Sequence, residues 1–172
     1  MKQESLSGLF TDRITLRPGS INNDGSVDFQ VTVDIQASPE IVWGVMSDAE
    51  RWHEWTPSVR SIRLLRKSDT GTLAIGTRAL IRQPKFPPAV WKVTAIEPGR
   101  SFTWRTGAPA VWAYGHHSVE AIHGGSRATL KLHYEGAIGR LLARLTRTIA
   151  NQYLGYEAAG LKQRSESLAG PR

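Results

Sequence analysis

The chain predicts an α+β fold, a curved seven-stranded antiparallel sheet with its helices gathered on one face. Three observations carry this. One strongly alternating strand runs straight into a helix start. Six further strand-like segments, separated by turn signals, fill the middle of the chain. A single long helical pattern closes it. A strand, two short helices, six strands and a long helix are packed most economically as a bent sheet covering the helices with one face.

The elements follow in order. Residues 1–26 are polar and end in Asn22-Asn23-Asp24-Gly25, which reads as a loose extension with a short strand at Ile14–Arg17. Phe29, Val31, Val33 and Ile35 then alternate with Gln30, Thr32, Asp34 and Gln36, the period of a half-buried strand. Ser38 suits an N-cap and Pro39 a first helical position, so a helix is expected through Ile41, Val42, Val45 and Met46. Asp48 opens a second short helix carrying Trp52, closed by Trp55-Thr56-Pro57. Strands are expected at 59–66, 77–83, 90–96, 101–106, 111–122 and 127–135, with turns at Asp69–Gly71, Glu97–Gly99, Gly107–Pro109 and Gly124-Gly125. Pro84, Pro87 and Pro88 make 84–88 a loop, since proline cannot donate within a central strand. A helix from 137 to 167 follows, with Ile138, Leu141, Leu142, Leu145, Ile149, Gln152, Tyr153 and Tyr156 as the core stripe and Arg140, Arg144 and Arg147 opposite. The domain proper is 27–168, with a tail at 169–172.

Two hairpins can be registered. A two-residue turn at Gly124-Gly125 sets Val119 opposite Leu130, His117 opposite Leu132, and Tyr134 over Gly115 on an inner face. The outer face then pairs His116 with His133. The turn at Glu97–Arg100 puts Trp91, Val93 and Ala95 inward with Phe102, Trp104 and Thr106. Parity sends Trp112 and Tyr114 outward unless Gly115 carries a bulge, which leaves both facings open.

Composition narrows the function. At 172 residues, with 40% hydrophobic and 22% charged residues, the chain suits one globular domain. With Cys 0 there is no thiol nucleophile, iron–sulfur cluster or cysteine zinc site, and the chain suits a reducing, cytoplasmic compartment. The opening MKQESLSGLF lacks the apolar core of a secretory signal, and no apolar run is long enough to insert in a membrane. The net charge of +7 is spread along the chain, with Arg60, Arg63, Arg66 and Lys67 as its one tight cluster, so no nucleic-acid partner is expected. Trp 6 is a high count for this length, and such side chains fill cores or line pockets.

The stretch VTVDIQASPEIVWGVMSDAERWHEWTP resembles the opening of the START/SRPBCC, or helix-grip, superfamily. WKVTAIEPGRSFTW, HHSVEAIHGGSRATLKLHYEG and the long terminal helix extend the resemblance over roughly 27–168, nearest the polyketide cyclase/dehydrase-like branch. The resemblance implies a sheet gripping the C-terminal helix around a hydrophobic cavity. It implies binding of a lipid, polyketide or similar small molecule, with catalysis as a cyclase or dehydrase in only some members. A non-enzymatic lipid or quinone carrier and a chaperone-activator-type interaction module are the alternatives. Monomer and homodimer both remain open.

On that basis Trp91, Trp104, His117, Tyr134, Gln152, Tyr153 and Tyr156 are the expected ligand-binding residues. His117 is the one titratable group on the apolar face. It is read mainly as a polar anchor and less as a catalytic acid/base, because no carboxylate shares its inner wall. No cofactor and no metal are expected: His116 and His133 with Glu120 on a solvated face fall short of a closed site. Gly155 beside Tyr153 reads equally as a close approach or a tolerated weak spot. The arginines of the last helix read as a solvated face. No nucleotide loop or catalytic triad spacing is present.

Overall fold

In a computed structural model describing residues 14–66 and 73–170, eight strands form one antiparallel sheet in the order β1-β2-β8-β7-β6-β5-β4-β3. The strands are β1 (Ile14–Ile21), β2 (Val27–Ile35), β3 (Ser61–Arg66), β4 (Arg78–Gln83), β5 (Phe86–Glu97), β6 (Ser101–Ala108), β7 (Val111–Ile122) and β8 (Gly125–Glu135). Helix α1 (Pro39–Ser47) and a 3-10 turn (Ala49–Glu54) follow β2, and α2 (Gly139–Ala169) closes the chain. The expected turn at Asp69–Gly71 and Lys67 lie outside the described residues.

The sheet has eight strands where seven were expected, because the short strand expected at Ile14–Arg17 runs on to Ile21 and joins the sheet. This β1 comes from the N-terminal extension and pairs along β2 from Ile14↔Val33 to Ile21↔Val27. β2 is buried at every second residue, and Phe29, Val31, Val33 and Ile35 enter the core. Pro39 begins α1 as expected, but Ser38 makes no side-chain cap bond.

The β7–β8 register is shifted by two residues from the expected one. Ile122 faces Gly125, so the turn is His123-Gly124, with Gly124 at φ 81°. A shift of two keeps every side chain on its face. Partners change, however: His117 faces Leu130, Tyr134 faces Ala113, and His116 faces Lys131 instead of His133. In β5 an irregularity between Val93 and Ala95 turns Ala95 out and brings Ile96 onto the core. Trp112 and Tyr114 face outward, with Arg105 stacked 4.6 Å over the Trp112 ring.

The expected loop at 84–88 is also corrected. Strand β4 turns back at Pro84-Lys85, and β5 already starts at Phe86, paired with Gln83. Pro87 and Pro88 fit because β5 meets β6 only from Lys92↔Arg105 onward. Before that point β5 is an edge on its β6 side, where a missing N–H costs nothing. Meanwhile Thr106, Gly107 and Ala108 continue alongside β7 alone. The sheet is therefore split between the start of β5 and the end of β6.

The face of α2 differs most from expectation. Ile138, Leu141, Leu145 and Tyr156 are exposed. Tyr153 of the expected stripe is buried, and the rest of the buried stripe is Ala143, Thr146, Ala150, Leu154, Glu157, Ala158 and Leu161. Small residues let the helix lie close on the sheet, and at Gly160 a side chain would collide with the Trp55 carbonyl.

Candidate functional site: a cavity between sheet and helix

Between the inner sheet face and α2 lies a cavity of about 300 Å³. Its sheet wall is built by the alternation of β5 and β6, which sends Trp91 and Trp104 inward 5.8 Å apart. Trp104 fits because Gly115 stands opposite it, and a β-carbon there would lie 2.8 Å from the indole Cδ1. Tyr134 comes from β8, and burial pushes its phenol pKa up, partly offset by a hydrogen bond with Thr146. Tyr153 comes from α2, accepts a hydrogen bond from the Lys85 N–H at 3.0 Å and meets Phe86 edge-on.

The polar pole of the cavity is His117. Its ring stacks on Phe102 at 4.7 Å between centroids and also meets Trp52 and Trp104. Neither ring nitrogen has a hydrogen-bond partner within the protein. Nε2 lies 3.7 Å from Oε2 of Glu157, a carboxylate delivered by α2. Glu157 in turn accepts a hydrogen bond from the Ser58 hydroxyl at 2.9 Å, and Ser58 shares a hydrogen bond with Thr56 at 2.9 Å. Thr56, Ser58, His117 and Glu157 are all buried. An imidazole beside a carboxylate in an apolar wall can orient a polar group of a ligand, or take and return a proton.

The structure thus brings Trp91, Trp104, His117, Tyr134 and Tyr153 to one cavity. Gln152 and Tyr156 are exposed, and the Gln152 amide donates to the Tyr156 hydroxyl at 2.7 Å away from the cavity. Glu157, Thr56 and Ser58 were not anticipated. Helical spacing held the signal for Glu157, since it lies four residues after Tyr153 and three after Leu154. Ser58 follows a Pro in an irregular segment, where no periodicity marks its direction. On the outer face, His133 hydrogen-bonds Asp28 at 2.7 Å and His116 hydrogen-bonds Thr103 at 2.9 Å, so the expected His116–His133 pair does not form.

A bent antiparallel sheet closed over one long helix, with a cavity between them, defines a helix-grip protein of START type. The chain belongs to the polyketide cyclase/dehydrase and lipid transport family, whose pattern matches residues 26–166. Solved structures agree on the fold. A START superfamily protein from Mycobacterium smegmatis superposes with a TM-score of 0.65 at 16% identity, covering 82% of this chain and 98% of its own. The di-domain aromatase/cyclase StfQ of the steffimycin biosynthetic pathway gives a TM-score of 0.67 at 12% identity, over 85% of this chain and 52% of its own. The protein jhp0584 of Helicobacter pylori gives 0.62 at 18% identity, over 86% and 89%. No curated protein matches the chain in sequence. Among the described residues no helix is long and apolar enough to cross a membrane.

Proposed function

We propose that this protein binds a hydrophobic small molecule, a lipid, polyketide or similar compound, in the cavity between the sheet and α2, as a cytoplasmic binding protein or carrier. The observation that carries the reading is the form of that cavity. It is an aromatic-walled space of about 300 Å³, with His117 and Glu157 side by side among the few polar groups of its lining. Ligand sites commonly combine a large apolar lining with a few convergent polar groups that set orientation. Trp91 and Trp104 supply contact area, and the unpartnered His117 nitrogens supply a hydrogen bond.

The test uses intrinsic tryptophan fluorescence, titrating with 1-dodecanol. Saturable quenching is expected from the native protein. It is expected to fall at least about tenfold in affinity in Ala150→Leu, which fills the cavity from α2. Circular dichroism and the melting midpoint verify that the variant is folded. Saturable binding that Ala150→Leu leaves intact would place the ligand elsewhere and end the proposal.

A second reading, cyclase or dehydrase chemistry, is favoured by one observation, the pairing of His117 with Glu157. His117→Gln separates the two readings. It retains a hydrogen-bonding side chain but cannot relay a proton, so a carrier keeps most of its affinity while an enzyme loses turnover.

A further inference from the structure

The split in the sheet lies beside the cavity. Its groove, of about 1,080 Å³, runs between Pro87, Pro88 and Ala89 of β5 and Thr106–Ala108 of β6. Pro87, Ala89, Thr106, Ala113 and Leu142 line both this groove and the inner cavity, so the two spaces adjoin across these residues. At the point where the split closes, the outer rim carries three cations side by side. Arg78 faces Lys92 across the β4–β5 ladder, and Lys92 faces Arg105 across the β5–β6 ladder. All three line the groove.

Like charges directly opposite one another on neighbouring strands are destabilising. Elsewhere on the outer face, Arg127 is paired with Asp34 and His133 bonds Asp28. Arg78, Lys92 and Arg105 form no ion pair with an acidic side chain among the described residues. Arg105 instead lies over the ring of Trp112, which walls the groove. Gly107 makes that wall possible. Its φ is 152°, and a β-carbon there would lie 2.8 Å from Trp112 Cε3. The groove therefore combines a triple-cation rim, an aromatic wall held by one of those cations, and residues it shares with the inner cavity.

We propose that the ligand is an anionic amphiphile, with its carboxylate or phosphate head held at the outer rim by Arg78, Lys92 and Arg105. Its apolar body passes between β5 and β6 into the cavity. This deepens the binding reading above and rests on it. It assigns the head group to the outer face of the sheet, opposite the His117 pole, and so fixes the orientation of the ligand along the passage. It also assigns a purpose to the prolines: by ending the β5–β6 ladder early, they keep the passage from sealing.

The test compares dodecanoate, dodecyl phosphate, 1-dodecanol and inorganic phosphate by fluorescence titration and calorimetry. Both anionic amphiphiles are expected to bind about tenfold more tightly than the alcohol at low salt, as three partly exposed charge contacts allow. The advantage is expected to shrink to about twofold in Arg78→Gln/Lys92→Gln and in about 0.5 M salt. Inorganic phosphate alone is expected to bind far more weakly than dodecyl phosphate. Equal affinity for acid and alcohol in the native protein overturns the inference while leaving the cavity reading standing. So does an advantage that survives in Arg78→Gln/Lys92→Gln. Inorganic phosphate binding as tightly as dodecyl phosphate makes the rim an independent anion site and likewise overturns it. Failure of all the alkyl probes to bind overturns both readings.

Discussion

At the residue scale, the cavity depends on the space that one glycine leaves open. Gly115 lies opposite Trp104 in the β6–β7 ladder. A β-carbon there would stand 2.8 Å from the indole Cδ1 and 3.6 Å from Trp91 Cζ3. Trp104 is itself pinned against Trp52 and Phe102, so it has nowhere to retreat except into the cavity. Gly115→Ala is therefore expected to cost about 1–3 kcal/mol of stability, the range for overpacking a tight core. It is also expected to weaken dodecanol binding by intruding on the same space. Urea denaturation and fluorescence titration measure the two effects, and a stabilised variant with unchanged affinity would show that Trp104 does not depend on Gly115. The facing of His117 was legible in the sequence because parity survives a two-residue register error in β7–β8, and that of Trp91 and Trp104 because β5 and β6 keep the expected pairing at Val93↔Trp104. The His117 partner was not, because Glu157 arrives from an element 40 residues further on.

At the element scale, α2 shows why the sequence misleads about which face is buried. Its bounds are close to those that the spacing implies, yet its large apolar residues Leu141 and Leu145 are exposed while Ala143, Ala150 and Ala158 are buried. A helix gripped by a bent sheet must approach it closely, and small residues make the closest approach. Hydrophobic size is then a poor guide to burial. Two glycines in this helix make opposite predictions. Alanine favours a helix interior over glycine by about 1 kcal/mol. At Gly155 a β-carbon meets only Leu16 Cδ1, at 3.7 Å, an ordinary contact. Gly155→Ala is therefore expected to stabilise the protein by up to about 1 kcal/mol. At Gly160 a β-carbon would collide with the Trp55 carbonyl and crowd its ring. Gly160→Ala is expected to destabilise by about 2 kcal/mol despite the better helix former. Thermal midpoints of the two variants, shifted in opposite directions, are the check. A shift in the same direction would contradict the close packing of α2 on the segment around Trp55.

At the scale of the whole molecule, the outer sheet face is divided by charge, and this sets its response to acid. Basic side chains dominate β4, β5 and β6, while the acids Asp28 and Asp34 stand on β2, near the opposite edge. His116 stands between, half-buried on β7, facing Lys131 of β8 and bonded to Thr103 of β6. Its pKa is lowered from the usual 6.5, first by burial and then by the neighbouring His117 and Lys131. The unfolded chain therefore takes up this proton near pH 6.5, before the folded protein does. The stability associated with His116 is present above that pH, falls as pH drops below it, and stops falling once the folded ring is also charged. Asp28 acts in a separate window. Burial raises its carboxyl pKa, but hydrogen bonds with Asn22 and His133 together hold it below 3.8, so its contribution is lost only in stronger acid. His116→Gln keeps a hydrogen-bonding group beside Thr103 and removes the titration. Urea midpoints between about pH 7.5 and 5 are expected to fall less steeply in His116→Gln than in the native protein, with the two converging in slope nearer pH 3. Identical slopes over the upper window would show that His116 takes up its proton as readily in the sheet as in the unfolded chain. The loss of stability there would then belong to other groups.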